Sequence, residues 1–428
     1  MSQPIRHTGQ RRLDRMDNPL VLLGAGASVD AGIPASTDMT ERITKEIISP
    51  RNRYLGVAHA LNYAIGALIA HKAARGGDPY AGIDIEQLFS AVQMLGDRES
   101  LEIAPFVTWS PVLQTIGPEK RIPSFFFDDN FAKYLAGKGF QKPATLIQEL
   151  VASMIQVDDS ERVFRKLEEE MLNTLTQLLS VEAANLGYLS PLLPAGDDVI
   201  RIATLNYDKS IETLAAAKGV SLDTGISGWR GGHDWMWEES ARVRLLKLHG
   251  SIDWTLVSTD TSGGLTESAI QIGGPLQDTA TRFQGKPGVV FGTRGKVRAE
   301  GPFLAMLQAF DDMLREVNRV VIVGYSFRDE HINVALSRWV NSAPQRAITV
   351  VDPNFMNTAN DPVARHTYPA SLLRAAQYFD FATNQVKRGV NLHVIPQFAK
   401  DGLEQAMTDP TAGRVPPEPV AGEQDGKI

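Results

Sequence analysis

Seven short runs rich in Val, Ile and Leu punctuate the chain, near residues 20–23, 199–205, 245–248, 289–291, 320–323, 347–351 and 390–395. Most are separated by stretches of helical periodicity, and that alternation predicts an α/β fold: a Rossmann-like parallel sheet covered by helices on both faces. From about residue 54 to residue 193 only the helical period is seen, as in Arg162-Val163-Phe164-Arg165-Lys166-Leu167-Glu168-Glu169-Glu170-Met171-Leu172. A large helical insertion follows from that. The expected organisation is a flexible arm at 1–17, a nucleotide-binding domain made of 18–60 and 196–405, the insertion at 61–195 and a disordered tail at 406–428. The tail is rich in Pro, Gly, Glu and Asp and poor in large apolar residues.

The first run leads into Leu22-Leu23-Gly24-Ala25-Gly26-Ala27-Ser28 and on through Gly32-Ile33-Pro34. A glycine turn between a strand and a helix lets the backbone approach a pyrophosphate, and the N–H groups that open the helix supply donors. The same turn also serves as a plain tight connection. Other strand ends are polar: Thr204-Leu205-Asn206-Tyr207-Asp208, His249-Gly250-Ser251, Gly324-Tyr325-Ser326 and Asp352-Pro353-Asn354. An open α/β sheet gathers such ends around one crevice at the C-terminal edge of its strands. Taken residue by residue, Asp208 is as much a helix cap as a ligand group, and Asp352 as much a turn former as a ribose acceptor.

Composition removes several classes. The formal net charge is −7 over 428 residues, which argues against direct nucleic-acid binding through phosphate neutralisation. There is no cysteine, so disulfides, thiolate catalysis and cysteine-based zinc sites are excluded and a cytoplasmic setting is expected. The arm through Asp17 carries arginines without a signal peptide's apolar core. The most apolar helical segment, 57–70, is too short to span a bilayer and reads as a buried core helix. No membrane association is expected.

The order Gly-Ala-Gly-x-Ser with Gly-Ile-Pro, then Asn-x-Asp, then Leu-His-Gly-Ser, then Gly-x-Ser resembles the sirtuin NAD-binding fold. Thr204–Asp208, Lys247–Asp253 and Gly324–Asp329 are more similar still to the sirtuin-like NAD hydrolase effectors of prokaryotic antiviral defence. The resemblance covers roughly 18–60 and 196–400. It implies NAD as a substrate, with no metal, held by Gly24, Ala25, Gly26, Ser28, Gly32, Ile33, Pro34, Thr204, Gly324, Tyr325, Ser326, Asp352 and Asn354. Asn206 would position the ribose or the attacking water, Asp208 would shape the nicotinamide pocket, and His249 would be the general base. It further implies a homo-oligomer and a separate activating partner, a HerA-like ATPase ahead of a short Argonaute. Deacylase sirtuins carry a four-cysteine zinc module, and their Gly-Ile-Pro continues Asp-Phe-Arg. Here no cysteine exists and Ala35-Ser36-Thr37 follows Pro34, so protein deacylation is disfavoured. A non-catalytic NAD or ADP-ribose sensor is the principal rival.

Four further features carry bland expectations or narrower ones. Trp229, His233, Trp235 and Trp237 read as pins of a long loop, with a lid as the alternative. Arg294, Lys296 and Arg298 read as a solvated basic loop. Arg328-Asp329-Glu330-His331 lacks His-Glu-x-x-His spacing and reads as a helix start. Glu86 and Phe89 of the insertion are expected to wall the nicotinamide side of the crevice.

Overall fold

The computed structural model describes residues 18–49, 55–110, 112–113, 116, 160–229, 232, 234–260, 266–272, 285–289, 302–361, 366–376 and 389–415. Two compact units result: one joins the N-terminal segment through Ala35 to Leu178–Ile428, and the other is Ser36–Gln177.

The first unit is built on seven strands: β1 (Leu20–Leu23), β2 (Ile200–Thr204), β3 (Leu222–Asp223), β4 (Val243–Lys247), β8 (Arg319–Val323), β9 (Ala347–Val351) and β10 (Asn391–Ile395). They run in the order β10-β9-β8-β1-β2-β4-β3, and every pairing is parallel. Strands buried on both faces explain the continuous Val/Ile/Leu runs. Leu20, Leu22, Ala203, Leu246, Val320, Ile322, Ile348, Val350 and Leu392 pack on one side against α6 (Phe303–Arg315), α7 (Glu330–Asn341), α8 (Phe355–Asn360) and α9 (Tyr368–Ala376). Val21, Leu23, Ile202, Leu245, Val321, Val323, Val351 and Ile395 face the other side, under the 3-10 segments Ala25–Ala31 and Ala183–Leu192, α5 (Ser210–Lys218) and α10 (Ala399–Thr408).

The register fixes where a site can form. Leu23 pairs with Thr204 and Val323, Thr204 with Lys247, Val323 with Val351, and Val351 with Ile395. These are the last residues of their strands, so Gly24, Leu205, Leu248, Gly324 and Asp352 all leave the sheet from one edge. The chain order reverses at β1, whose C-terminal end is the topological switch point.

The second unit is helical among its described residues: α1 (Ser36–Ile48), α2 (Leu55–Ala74), α3 (Ile85–Gly96) and α4 (Ser160–Leu178). Its core contains Met39, Ile43, Leu61, Leu88, Phe89, Val92, Phe164 and Leu167. Asp84 caps α3 by accepting from the Glu86 N–H. Arg98 is 1% exposed and donates to the Leu95 carbonyl and the Ser160 hydroxyl, tying the end of α3 to the start of α4.

Several expectations change. The insertion runs from 36 to 177 instead of from 61 to 195. α1 buries Met39, Ile43 and Ile47 and packs on α2 and α3, whereas Leu186, Leu189 and Leu192 belong to the sheet's core. Of the run expected at 289–291 only Val289 is among the described residues, and it ends a strand outside the parallel sheet. β7 (Gly285–Val289) pairs antiparallel with β5 (Gly250–Asp260), which also pairs antiparallel with β6 (Thr266–Ile272). α2 is a one-sided helix: Val57, Ala60, Leu61 and Ala64 are buried while His59, Asn62, Ala67 and Ala70 are exposed. No helix among the described residues is long and apolar enough to cross a membrane. The chain past 405 is ordered through residue 415, since the Val394 N–H donates to the Gly413 carbonyl and the Val415 N–H to the Leu392 carbonyl, an added edge beside β10. The arm at 1–17 and residues 416–428 lie outside the described residues.

Candidate active site

The glycine turn meets the loop after β8 backbone to backbone. The Gly24 N–H donates to the Val323 carbonyl and the Gly26 N–H to the Gly324 carbonyl, each at 2.9 Å, and the Ala27 N–H returns to the Gly24 carbonyl. A Cβ on Gly24 would stand 2.6 Å from the Gly324 oxygen, and one on Gly26 would stand 2.7 Å from the Gly324 Cα. Gly324 itself has φ +59°, and its Cβ would lie 2.4 Å from the Ala27 nitrogen. The three glycines are therefore demanded by this close loop contact. Expecting the turn's N–H groups to be free phosphate donors is wrong for Gly24, Gly26 and Ala27, whose protons are committed within the protein. Gly32 ends the 3-10 segment at φ +90° with open space around it, and Ile33 and Pro34 are buried behind it.

Ser28, Asn206 and Asp208 form one buried cluster beside that turn. The Asn206 side-chain amide donates to the Gly24 carbonyl at 2.9 Å and to the Ser28 hydroxyl at 3.1 Å, and Ser28 Oγ donates to Asp208 Oδ2 at 2.9 Å. A carbonyl partner identifies the amide nitrogen, so Oδ1 is the atom with which Asn206 accepts. Asp208 Oδ1 accepts from the Ser210 N–H at 2.8 Å, opening α5. Asp208 thus joins the first turn of α5 to the Ser28–Asn206 cluster. Thr204 Oγ1 accepts from the Asn206 N–H. Ser28, Thr204, Asn206 and Asp208 line a small cleft together with Leu23 and Ala27.

Ion pairs and a tyrosine brace the cluster from outside. Lys247, fully buried, donates to the Asp208 carbonyl at 2.5 Å and to Glu212 at 2.8 Å. Lys209 and Asp253 pair at 2.6 Å, joining the start of α5 to β5. Burial pushes the Asp253 carboxyl up, but the Lys209 hydrogen bond and charge hold it below the usual range. Tyr188 donates to the Ala27 carbonyl at 2.7 Å. Burial, with Asp30 and Asp208 adding to it, raises the Tyr188 hydroxyl pKa, so the phenol stays protonated.

His249 sits one strand over, where the Leu248 N–H still donates to the Thr204 carbonyl at 2.9 Å. It does not line the Asn206 cleft. Its Nε2 is 2.8 Å from Asp329 Oδ2, with both side chains at most 5% exposed. Asp329 also caps α7, accepting from the His331 N–H through Oδ1 at 3.1 Å. The Tyr325 hydroxyl accepts from the Asp329 N–H, and Asn333 donates to the Phe327 carbonyl. The structure thus divides the expected catalytic residues between two neighbouring groups: Asn206 with Asp208, and His249 with Asp329. Sequence reading placed Asp329 at a helix start, which is right, and missed its partner. The usable signal was the acidic residue closing Gly-Tyr-Ser-Phe-x-Asp.

The other expected residues scatter. Tyr325 is buried, whereas Ala25 and Ser326 are exposed on the loops. Asp352 accepts from the Asn354 N–H at 2.7 Å in the turn that opens α8; burial raises its carboxyl pKa against the pull of the Asn354 and Phe355 N–H groups. Trp229 is 6% exposed in the core, its indole N–H donating to the Gly232 carbonyl. Trp235 and Trp237 meet edge to face and are packed, partly buried, against that core, which is the pinned-loop arrangement. His233, Arg294, Lys296 and Arg298 lie outside the described residues. Phe89 is fully buried and Glu86 half-buried within the helical unit. Among the described residues no three His, Asp or Glu side chains gather as metal ligands.

The comparisons with known proteins bear on these same segments. The family model described as a SIR2-like domain matches residues 200–373, which include Asn206, Asp208, His249 and Asp329. No curated protein matches the chain. A solved Sir2 homologue, a triple mutant in complex with 2'-O-acetyl ADP ribose, is 13% identical over 93% of this chain and 94% of its own, with a TM-score of 0.29. The chain is thus a Rossmann-like α/β protein whose residues 200–373 are similar to the SIR2-like domain.

Proposed function

We propose that this chain is an NAD hydrolase that cleaves the bond between nicotinamide and ribose. The observation that carries the reading is Asn206, clamped by Gly24 and Ser28 at the switch point of the sheet with His249 on the adjoining strand end, inside the SIR2-like segment. The nicotinamide ring is cationic in NAD, so it leaves as a neutral molecule with the bonding electron pair. The ribose carbon gains oxocarbenium character, as in glycoside hydrolysis. Water then forms the new C–O bond, its proton passing to His249, and the products are nicotinamide and ADP-ribose. Asn206 accepts through Oδ1 from the water or a ribose hydroxyl, which orients the reacting groups. His249 suits the base role because a neutral imidazole offers one ring nitrogen that accepts a proton.

The wider proposal is that the chain is an effector of antiviral defence that depletes NAD. It would work in the cytoplasm as a homo-oligomer and be released by a separate partner, a HerA-like ATPase first and a short Argonaute second. Its support is the motif resemblance. The test is nicotinamide release from NAD by the purified protein, alone and with each candidate partner. Turnover that disappears in Asn206→Ala and His249→Ala is expected. NAD bound without turnover under every condition would overturn the hydrolase reading in favour of a sensor.

A further inference from the structure

Resting on the hydrolase reading, we infer that Asp329 is the positioning residue of His249, fixing which ring nitrogen carries the proton. The two side chains lie 80 residues apart in the chain and meet at 2.8 Å in a nearly solvent-free setting. An ionised carboxylate only accepts, so a neutral imidazole facing it must hold its proton on Nε2 and keep Nδ1 as its basic atom. Asp329 thereby sets the tautomer of the ring and stabilises the imidazolium that forms when the ring takes up a proton, without accepting the proton itself. This is the role a buried carboxylate plays behind other catalytic histidines.

Asp329 is held rigidly enough for the task. Oδ1 is occupied by the His331 N–H, and its own N–H is engaged by the Tyr325 hydroxyl. That tyrosine is in turn 3.2 Å from the Asn333 side-chain oxygen. The chain reaches this geometry through Phe327, at φ +56° the only described non-glycine residue with positive φ. Strained backbone of this kind is kept where the surroundings demand a particular loop path. Here the path carries Asp329 from the edge of β8 to the His249 ring.

Asp329→Asn separates pairing from capping, because Asn is as good an N-cap as Asp. With NAD as the probe, kcat is expected to fall ~100-fold or more, with KM within about threefold of the parent and with parental thermal stability. Asp329→Glu should recover part of the rate. In parallel, nitrogen-15 NMR of protein labelled at histidine, assigned with His249→Gln, should show His249 protonated at Nε2 in the parent and a mixed or inverted tautomer in Asp329→Asn. An unchanged kcat in a folded Asp329→Asn protein, or a parent ring protonated at Nδ1, would overturn the inference. If the parent never hydrolyses NAD, the hydrolase reading fails, while the tautomer measurement still decides whether Asp329 sets the ring.

Discussion

Gly324→Ala tests whether Gly24 and Gly26 serve the loop contact seen here. A side chain at this position meets two penalties. The left-handed backbone at φ +59° costs an L-residue about 1–2 kcal/mol. The new methyl group would stand 2.4 Å from both the Ala27 nitrogen and the Gly26 carbonyl carbon and 2.5 Å from the Gly26 Cα. These are backbone atoms held by the Gly26–Gly324 and Ala27–Gly24 hydrogen bonds, so relief requires the two loops to separate, at a further ~1–3 kcal/mol. Loss of unfolded-state freedom offsets about 0.4–1 kcal/mol. The net loss is about 1–5 kcal/mol, or roughly 2–20 °C in Tm. Gly32→Ala is the control: φ is +90° there, but nothing lies within 4 Å of the added methyl, so only the backbone penalty applies. Thermal unfolding followed by tryptophan fluorescence reads the right unit, because five of the six tryptophans (all but Trp109) lie in the sheet-bearing part. If Gly324→Ala and Gly32→Ala melt within about 2 °C of each other, the steric argument is wrong.

The loop between β3 and β4 depends on Asp223, which accepts from the Gly225 N–H and the Glu238 N–H, each at 2.8 Å. Asp223→Ala should cost about 2–3 kcal/mol and raise hydrogen exchange across residues 224–238; exchange unchanged in that segment would show that Trp229 alone holds it. His393 supplies a pH dependence: burial lowers its pKa, partly opposed by the Thr411 and Ala412 carbonyls. A depressed histidine pKa favours the neutral ring in the fold, so its contribution is present above the unfolded value near 6.5. That contribution is lost as pH falls through the folded value. His393→Gln should flatten the decline in denaturation midpoint between about pH 7 and about pH 5; an unaltered slope would assign the effect elsewhere.

Much of the sheet was legible because its strands are buried on both faces. Continuous runs such as Val320–Val323 or Ala347–Val351 have no other economical reading, and the register then forces their polar successors to one edge. The signals that failed were those that depend on a partner far away in sequence. Gly250–Asp260 mixes polar and apolar residues, which suits a sheet with one covered face, and β7 resembled a parallel strand until its antiparallel partner was known. The helical insertion was legible as helix but not at its ends, since the amphipathic stripe of Ser36–Ile48 says that it packs and not on what. Past residue 405 the polar composition concealed Ala406 and Ala412, both buried, and the two backbone bonds to β10.

The candidate site shows the same division between what local chemistry announces and what only the fold supplies. Asn206, Asp208 and His249 stood out because they follow buried strands at the edge where an open α/β sheet forms its crevice. Asp329 did not, because it satisfies a complete local role as the cap of α7 and so leaves nothing unexplained in the sequence. Gly24 and Gly26 invited the opposite error. Their spacing fits a phosphate turn, and a bound anion and a packed loop ask the same thing of the backbone, namely the absence of a Cβ. What separates the two is the fate of the N–H groups, and in this chain Gly24 and Gly26 direct theirs to Val323 and Gly324. The glycines thus hold the carbonyl of Gly24 where it fixes the amide of Asn206.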